Sequence, residues 1–455
     1  MSDYHPRRED LERFARGDVF AHERRKIEDH LRSGCAPCQR LIDEMLPCLE
    51  DEGSWLLEDL GLSEAPWEEE SPELDRAFAR MEQRLAVISL ERSAAPRLVA
   101  ELSQQAVAER IESVRQRRRF QTLAICDLLL ETSFEEGFRN PGKSVELAEL
   151  AIEVAGRLDS EYYGKSVVED LRARAWAYLG NARRVSSDLV GAEQALAVAD
   201  YLAEHGSGDP LEEARILDLR ASLLSDQGRF EEAAETLDVV IDIYHEVKEI
   251  HRKGRAILSK GLFIGYSGQP ELAIQLLSEG LSLVEWDREP RLVLMARHNY
   301  AWFLNDCGRC EEALCHLQRF RHSYHELFPE PWTELRLAWL EGRIASGLER
   351  FDEAEVILRE ARGRSVEQGL GFEASMITLD LAALYLRQGK GDRVKQLAAA
   401  MFPVLLSQDL HGQAIAALAI FQQFAEMDRV TLGLVQEITA YLFRAQKNPK
   451  LSFRM

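Results

Sequence analysis

Four residues near the start of the chain have the types and the spacing of a zinc site. Cys35 and Cys38 lie three positions apart at the expected start of a helix, so that both sulfurs point to the same side. His30 precedes Cys35 by five positions, and His5 lies 25 positions before His30. Thiolates and imidazole nitrogens are ligands that Zn²⁺ prefers in tetrahedral sites. The sequence therefore predicts one Cys2His2 zinc site, with His22 as the rival candidate for the fourth ligand.

The first 48 residues predict a separate helical module around this site. Their apolar residues fall into three short helical stripes, carried by Leu11 and Phe14, by Ile27 and Leu31, and by residues 41–46. Three short helices bury too little apolar surface to be stable without a further constraint. We therefore expect the metal to hold the module together. The alternative is a pair of free thiols beside a histidine that caps a helix.

The same residues resemble the zinc-binding domain of anti-sigma factors. That family has an upstream Cys or His followed by H-x3-C-x2-C, a pattern that His5, His30, Cys35 and Cys38 match within residues 5–48. Two features depart from it: the first ligand is a His, and a glycine is inserted between His30 and Cys35. The resemblance implies a helical module that binds an extracytoplasmic-function sigma factor, and it implies thiolates that some relatives use to sense oxidants.

The rest of the chain contains a repeat of about forty residues. A motif of Gly, a spacer, an aromatic residue or Pro, and a later Ala recurs, and its anchor positions are separated by 41, 40, 40, 41 and 40 residues. Apolar residues follow most anchors at four and seven positions, and a small residue precedes each anchor by twelve. Each unit therefore predicts two closely packed helices joined by a tight turn. The anchors are Ala192, Ala233, Ala273, Ala313, Ala354 and Val394.

These repeats resemble the tetratricopeptide repeat (TPR) family. The fullest match to the W–LG…A order of that family is the set Trp176, Leu179, Gly180, Ala192, Leu196 and Ala199. The period departs from the 34 residues that are usual in the family. The resemblance implies an all-α, right-handed solenoid of helical hairpins, in which the first helix of each hairpin lines a concave surface that binds a protein or a peptide.

These patterns divide the chain into five parts. Residues 1–48 are the zinc module, 49–75 an acidic linker, 76–164 a helical lead-in with one irregular hairpin, 165–410 the repeats, and 411–455 a helical cap and tail. The linker holds eleven acidic residues and no basic residue, which is typical of a flexible solvated segment. Residues 55–60 also have an apolar face, so that docking as a helix, or binding of the linker in the repeat groove, stays open.

Counting back from the anchors gives the side chains that would face the concave surface. They are basic, amide and aromatic groups, although the chain has a net charge of −22. Arg and Trp are enriched at binding hot spots, which favours a channel for an acidic or C-terminal peptide; packing between helices is the alternative. The predicted groove residues are Asn181, Arg184, Arg215, Arg255, His298, Trp302, Asn305, Arg336, Trp339 and Arg343, with Asp218 beside Arg215.

A second group of thiols lies inside the repeats. Cys307, Cys310 and Cys315, with His316, lie at and after a predicted hairpin turn. These four residues could hold a second metal ion. Buried cysteine is common in protein cores, however, which favours a packing role. The basic run at residues 115–119 is interpreted as a solvated helix face.

Composition and missing motifs exclude several classes of function. The excess of 78 acidic over 56 basic residues argues against a general nucleic-acid binder and against an anionic membrane surface as partner. The charged N-terminus lacks the apolar segment of a secretory signal, and no apolar stretch reaches the ~20 residues of a membrane span, so a cytoplasmic location is expected. No phosphate-binding loop, nucleophile elbow or dinucleotide fingerprint appears, so no enzyme is predicted.

Together these patterns predict a bacterial-type regulator that works through protein–protein interactions. The zinc module would bind one regulatory partner, for which the resemblance implies a sigma factor, and the solenoid would bind a protein or a peptide. The alternative is a scaffold or assembly protein in which zinc is purely structural. The zinc module favours the regulator, because a plain TPR scaffold does not need one.

Overall fold

The computed structural model describes residues 5–8, 10–11, 26–27, 30, 35, 37–38, 72–137, 139–327, 331–401 and 412–447. Within these ranges every regular element is a helix and no strand occurs. The chain divides into two compact units, residues 1–90 and 91–455. The prediction of an all-α protein is confirmed, and no helix in the described ranges is both long and apolar enough to span a membrane.

In the first unit, short stretches of the predicted zinc module are helical, at residues 8, 10–11, 26–27, 30 and 37–38. Leu11, Ile27 and Cys38 are buried there. The remainder of the three predicted helices, the rival ligand His22 and most of the predicted acidic linker lie outside the described residues. The first long helix, α1, spans Pro72–Ser103 and therefore includes the last four residues of the predicted linker.

The second unit is a succession of helices joined by short turns. Several of these helices begin with proline, whose fixed φ angle and missing N–H suit the first turn of a helix. After α1 the helices are α2 (Val107–Gln116), α3 (Leu123–Glu136), α4 (Pro141–Ala155), α5 (Ser160–Tyr163), α6 (Lys165–Val185), α7 (Leu189–Ala203), α8 (Pro210–Asp226), α9 (Phe230–Glu246), α10 (Ile250–Tyr266), α11 (Pro270–Leu283), α12 (Pro290–Asp306), α13 (Cys310–Leu327), α14 (Pro331–Gly347), α15 (Phe351–Glu367), α16 (Gly371–Arg387), α17 (Gly391–Ala399), α18 (Gly412–Glu426) and α19 (Leu432–Lys447), with a single 3₁₀ turn at Arg118–Phe120.

Consecutive helices pack against each other as hairpins, from α6 with α7 to α16 with α17. The six anchor residues lie on the second helices of these hairpins, and all six are buried. The five anchor alanines have no exposed surface, and Val394 is 3% exposed. The period of about forty residues is therefore the spacing at which one small side chain is enclosed between helices, as the sequence predicts.

The small residue of each first helix allows its backbone to approach the second helix closely. A Cβ atom added at Gly180 would lie 2.9 Å from the side chain of Leu196, and one added at Gly342 would lie 2.7 Å from Leu358. In both hairpins the neighbour is the leucine four positions after the anchor. The alanines at the equivalent positions of other repeats are fully buried. The predicted role of these small residues is therefore confirmed.

A residue in the left-handed backbone region ends the first helix of each of these hairpins. It lies five positions before the anchor and has a φ of +66° at Ser187, between +69° and +99° at the four glycines of the motif, and +61° at Glu349. A side chain in this region costs roughly 1–2 kcal/mol, which explains why glycine is the usual choice.

The last helix, α19, lies against first helices that are two hairpins apart. It packs on α16, and Phe443 of α19 is edge-on to both Trp302 of α12 and Phe372 of α16, with ring centroids 6.0 and 6.2 Å apart. This arrangement resembles the predicted helical cap. The predicted boundary between repeats and cap, at residues 410–411, lies outside the described residues.

Candidate metal centre and binding groove

The four predicted zinc ligands lie together, although the chain separates them widely. Their ligand atoms are all within 4.8 Å of one another. Nδ1 of His5 lies 3.5 Å from Sγ of Cys35 and 3.7 Å from Sγ of Cys38. The rings of His5 and His30 are roughly perpendicular, with centroids 4.9 Å apart. No other group of potential metal ligands of this kind occurs in the described part of the chain.

These distances fit a tetrahedral zinc ion. Bonds of about 2.3 Å to sulfur and about 2.0 Å to nitrogen, at the tetrahedral angle, place the two ligand atoms about 3.5 Å apart. The two measured distances between sulfur and nitrogen are 3.5 and 3.7 Å. His5, His30, Cys35 and Cys38 would hold the ion, which would supply a rigid link between distant segments of the first unit.

The electrostatics of the two thiols also fit a cation. Burial, and next the neighbouring Cys35, raise the pKa of the Cys38 thiol above its ordinary value. A second thiolate beside the first is unfavourable in a buried place unless a positive charge lies between them. The pair is therefore suited to a metal ion rather than to two free thiolates.

The second group of thiols does not gather in this way. Cys310 is buried, Cys307 is half-buried and Cys315 is exposed. Burial, and next the negative charge of Glu271, raise the pKa of Cys307 to about 11, which keeps it a thiol at neutral pH. These residues belong to a hairpin turn and its packing.

A large cavity of about 1030 Å³ opens on the concave side of the later repeats. Its walls come from the first helices α10, α12, α14 and α16 and from α19. Five of the ten predicted groove residues line it: Trp302, Asn305, Arg336, Trp339 and Arg343. Trp332, at the rim, is 49% exposed, and the guanidinium of Arg336 lies 5.1 Å above its ring.

The floor of this cavity is a network of indole, guanidinium and carboxylate groups. The rings of Trp302 and Trp339 meet edge-to-face with centroids 4.8 Å apart, and Arg343 lies 4.2 Å from the Trp302 ring. Nε1 of Trp339 donates a hydrogen bond of 2.6 Å to Asp380. Arg343 donates to Asp306 at 2.8 Å and lies 3.5 Å from Asp380. The floor is therefore held together by several contacts, and its one guanidinium and two carboxylates have a formal net charge of −1.

Two buried polar atoms in this cavity have no hydrogen-bond partner among the described residues. They are Oδ1 of Asn305, an acceptor, and Nη1 of Arg343, a donor. Buried polar groups are normally satisfied, so each such atom needs an explanation. Both residues line the cavity, so a ligand that reaches these atoms would meet one acceptor and one donor.

A smaller cavity of about 330 Å³ lies among the earlier helices α3, α6, α8, α9 and α10. The predicted groove residues Arg215 and Arg255 line it, together with Asp218. It shares no lining residue with the larger cavity. The predicted groove residues that line a cavity are therefore divided between two cavities.

Three predicted groove residues line neither cavity. His298 is buried beside Trp302 and Tyr324, and burial, with a smaller effect of Arg336, lowers its pKa to about 3. Asn181 is also buried and accepts a hydrogen bond of 2.9 Å from Arg184. Arg184 is in turn paired with Asp226 at 2.5 Å. Arg184 thereby joins two neighbouring first helices, and His298 and Asn181 are enclosed among helices.

The acidic partners of the concave arginines were missing from the sequence prediction. Asp306 and Asp380 pair with Arg343, and Glu212 and Asp127 pair with Arg174. Such pairs join neighbouring first helices at separations such as 37, 38 and 42 residues, which is close to one repeat. Opposite charges one period apart on first helices are the signal that would have identified them.

Comparisons with known proteins give a fold but no family. No protein-family model matches the chain, and no curated protein matches it. Several solved structures match the chain, among them the following three. A Rap protein complexed with competence and sporulation factor has a TM-score of 0.52 and 14% identity, covering 69% of this chain and 85% of that one.

The other two structures have lower TM-scores. Aspartyl phosphate phosphatase F from Bacillus subtilis has a TM-score of 0.49 and 12% identity, over 89% of this chain and 96% of that one. The apo form of RapI has a TM-score of 0.49 and 13% identity, over 80% and 98%. The first comparison shows that this chain has a TPR-like helical-repeat fold similar to that of a Rap protein, as the repeats predict.

Proposed function

We propose that this chain is a helical-repeat regulator that acts through protein–protein contacts, and that its larger cavity binds an extended peptide segment of a partner. The observation that carries the proposal is the pair of unsatisfied buried atoms, Oδ1 of Asn305 and Nη1 of Arg343. Leaving a buried donor or acceptor without a partner lowers stability by about 1–3 kcal/mol per group. A ligand that satisfies both atoms recovers this loss when it binds.

An extended peptide has a hydrogen-bond partner for each of these two atoms. Its backbone N–H groups donate to Asn305, and its C=O groups accept from Arg343. The indole ring of Trp332, which is 49% exposed, offers apolar surface to the peptide side chains, and the buried rings of Trp302 and Trp339 lie beneath it. Because Arg343 is already paired with two carboxylates, its remaining N–H favours a neutral carbonyl over an acidic side chain.

The fold comparison supports a bound regulatory factor. The Rap protein with the TM-score of 0.52 is complexed with competence and sporulation factor. That protein, whose fold is similar, therefore binds such a factor. In this chain the aromatic cavity with its two free hydrogen-bonding atoms is the place that we propose for a bound segment.

Selection from a random peptide library displayed on phage, followed by titration calorimetry of the selected peptides, tests this proposal. Asn305→Leu removes the acceptor, and Trp332→Ala removes apolar surface from the rim. We expect each variant to weaken binding by about tenfold or more. Tyr201→Ala is the matched control, because Tyr201 is an exposed aromatic residue that lines neither cavity.

Two results would contradict the peptide groove. One is a selection that yields no binding peptide. The other is a set of selected peptides whose affinities are the same for the wild type, Asn305→Leu and Trp332→Ala.

We propose in addition that residues 1–48 form a zinc module that binds a sigma factor. The support is the gathering of His5, His30, Cys35 and Cys38 at distances that suit zinc, together with the resemblance of their spacing to anti-sigma domains. The domain boundaries at 48, 75, 164 and 410 belong to the same proposal.

Metal content and partner capture test this second proposal. We expect one zinc ion per chain by elemental analysis, and we expect the double variant Cys35→Ser/Cys38→Ser to have none. The wild type, but not this variant, is expected to retain an extracytoplasmic-function sigma factor from lysate of the native host. A chain with one zinc that retains only a large multiprotein assembly would favour the alternative, a scaffold with purely structural zinc.

A further inference from the structure

The smaller cavity holds charges of both signs that do not neutralise one another. Asp218 of α8 lies on its wall, and no hydrogen bond or ion pair within 4.0 Å joins this carboxylate to another residue in the described ranges. Asp218 is half-buried, and burial raises its pKa although Arg255 and Arg184 act in the opposite direction. An unpaired carboxylate in such a place is unfavourable unless a cation joins it.

Four arginines line the same cavity: Arg174 and three others. Each of the three others is held by a carboxylate other than Asp218: Arg215 by Glu212 at 2.7 Å, Arg255 by Glu289 at 3.2 Å, and Arg252 by Glu249 at 3.9 Å. A guanidinium has five N–H donors, so each of these arginines has N–H donors left for a ligand.

The carboxylates behind the arginines keep them away from Asp218. Glu212 is itself fixed by Arg174, which donates to it at 2.8 Å and to Asp127 at 2.7 Å. Glu289 is shared between Arg255 and the buried His251, which lies 3.1 Å from it. The arginines are therefore held by other carboxylates and Asp218 is left unpaired before any ligand arrives, which is the preorganisation that binding of a charged molecule requires.

The remaining wall is aromatic. Phe134, Tyr178 and Tyr244 line the cavity, and the rings of Phe134 and Tyr178 lie 6.1 Å apart. The phenol oxygens of Tyr178 and Tyr244 have no hydrogen bond to another side chain or backbone group in the described part of the protein. Aromatic faces attract cations and also accommodate apolar side chains.

We propose that the smaller cavity is a binding site for a free α-amino acid. The ammonium group binds Asp218, the carboxylate binds the spare N–H donors of Arg252 and Arg255, and the side chain lies against the aromatic wall. A volume of about 330 Å³ is at the small end of ligand pockets, which suits one amino acid and excludes a long peptide. This site is independent of the peptide groove, because the two cavities share no residue.

Titration calorimetry of the full chain with each standard L-amino acid tests the proposal. At least one amino acid is expected to bind, and its N-acetyl and its amide derivatives are expected to bind much more weakly because each lacks one of the two charges. Asp218→Asn is expected to weaken binding of the amino acid by about thirtyfold or more. Arg255→Gln is expected to act in the same direction.

Glu213→Gln is the matched control, because Glu213 is an exposed carboxylate on the same helix and lines neither cavity. Asp218→Asn is expected to fold normally, since it removes an unpaired carboxylate, and circular dichroism checks this. The proposal is overturned if no amino acid binds, if the acetylated or amidated derivatives bind as well as the parent, or if Asp218→Asn and Arg255→Gln bind with unchanged affinity.

Discussion

The two units of the chain bring distant residues together through different kinds of contact. In the first unit, four ligand atoms from residues spread between His5 and Cys38 meet within 4.8 Å at one place. In the second unit, six buried anchors recur along the chain, and each is enclosed by its own hairpin and its neighbours. The zinc site proposed above would concentrate stability at one point in the first unit, whereas in the second unit stability is distributed over many similar contacts. The following predictions test this difference.

The largest effect is expected from removing the paired thiols. Cys35→Ser/Cys38→Ser is expected to unfold the zinc module, because structural zinc in small domains contributes about 10–16 kcal/mol. Hydrogen exchange followed by mass spectrometry should then show loss of protection in residues 5–38 and no change in α6–α17. Cys315→Ser is the control, since Cys315 is an exposed thiol outside the cluster. Unchanged protection in residues 5–38 would show that the module does not depend on these thiols.

A smaller effect is expected from a cavity in the repeats. Trp339 is 2% exposed, and Trp339→Ala should lower the free energy of unfolding by about 3–5 kcal/mol. Because repeats contact mainly their neighbours, exchange should increase in α12, α14 and α16 and stay unchanged in α6 and α7. Trp332→Ala, at a half-exposed position nearby, should lower the free energy of unfolding by less than about 1 kcal/mol. An equal loss of protection along the whole solenoid would contradict distributed stability.

A third test uses the acid sensitivity of one buried histidine. The pKa of His298 is lowered to about 3, whereas an unfolded chain has a histidine pKa of about 6.5. The unfolded state therefore takes up the proton first, and the stability associated with this residue is lost as the pH falls from about 6.5 towards 3. Urea denaturation at pH 7 and pH 5 should show a loss about 2 kcal/mol larger for the wild type than for His298→Phe. If the free energy of unfolding falls equally in the wild type and in His298→Phe, His298 is accessible to water in the folded state and the prediction is wrong.

The smallest effect is expected from two glycines in one hairpin. A Cβ at Gly342 would lie 2.7 Å from Leu358, whereas a Cβ at Gly363 would meet nothing within 4 Å. Gly342→Ala should therefore lower the free energy of unfolding by about 1–3 kcal/mol, and Gly363→Ala should raise it by up to about 1 kcal/mol. Thermal unfolding of the two variants checks the opposite signs. A stabilising Gly342→Ala would show that the helices can separate at this point.

Much of the fold could be predicted from the sequence because the same pattern of residues recurs in every repeat. The anchors, the small residue twelve positions earlier and the glycine turn reflect local packing, which depends on residues within one hairpin. The position of α19 could not be predicted in this way. The contact of Phe443 with Trp302 joins residues far apart in the chain and belongs to no repeated pattern.

The candidate sites were predictable to different degrees. The ligands of the metal site have a characteristic spacing, so the residue types alone indicated which side chains meet. The groove was predicted from helix faces, and a face does not tell whether a side chain reaches solvent or a neighbouring helix. His298 and Asn181 are on the expected helices and yet are enclosed by them. Residues that line the two cavities are also joined by ion pairs between repeats, which a count within one repeat does not include.

The pairing of Arg343 has a mechanical consequence. This residue lies on α14 and binds Asp306 at the end of α12 and Asp380 on α16, so one cation serves two successive joints of the solenoid. Bending between α12 and α14 would move Arg343 relative to Asp306, and bending between α14 and α16 would move it relative to Asp380. The three hairpins that contain these helices are therefore expected to resist bending as one rigid block. When the solenoid is stretched or curls around a partner, its deformation is expected to fall on the joints that no such ion pair crosses.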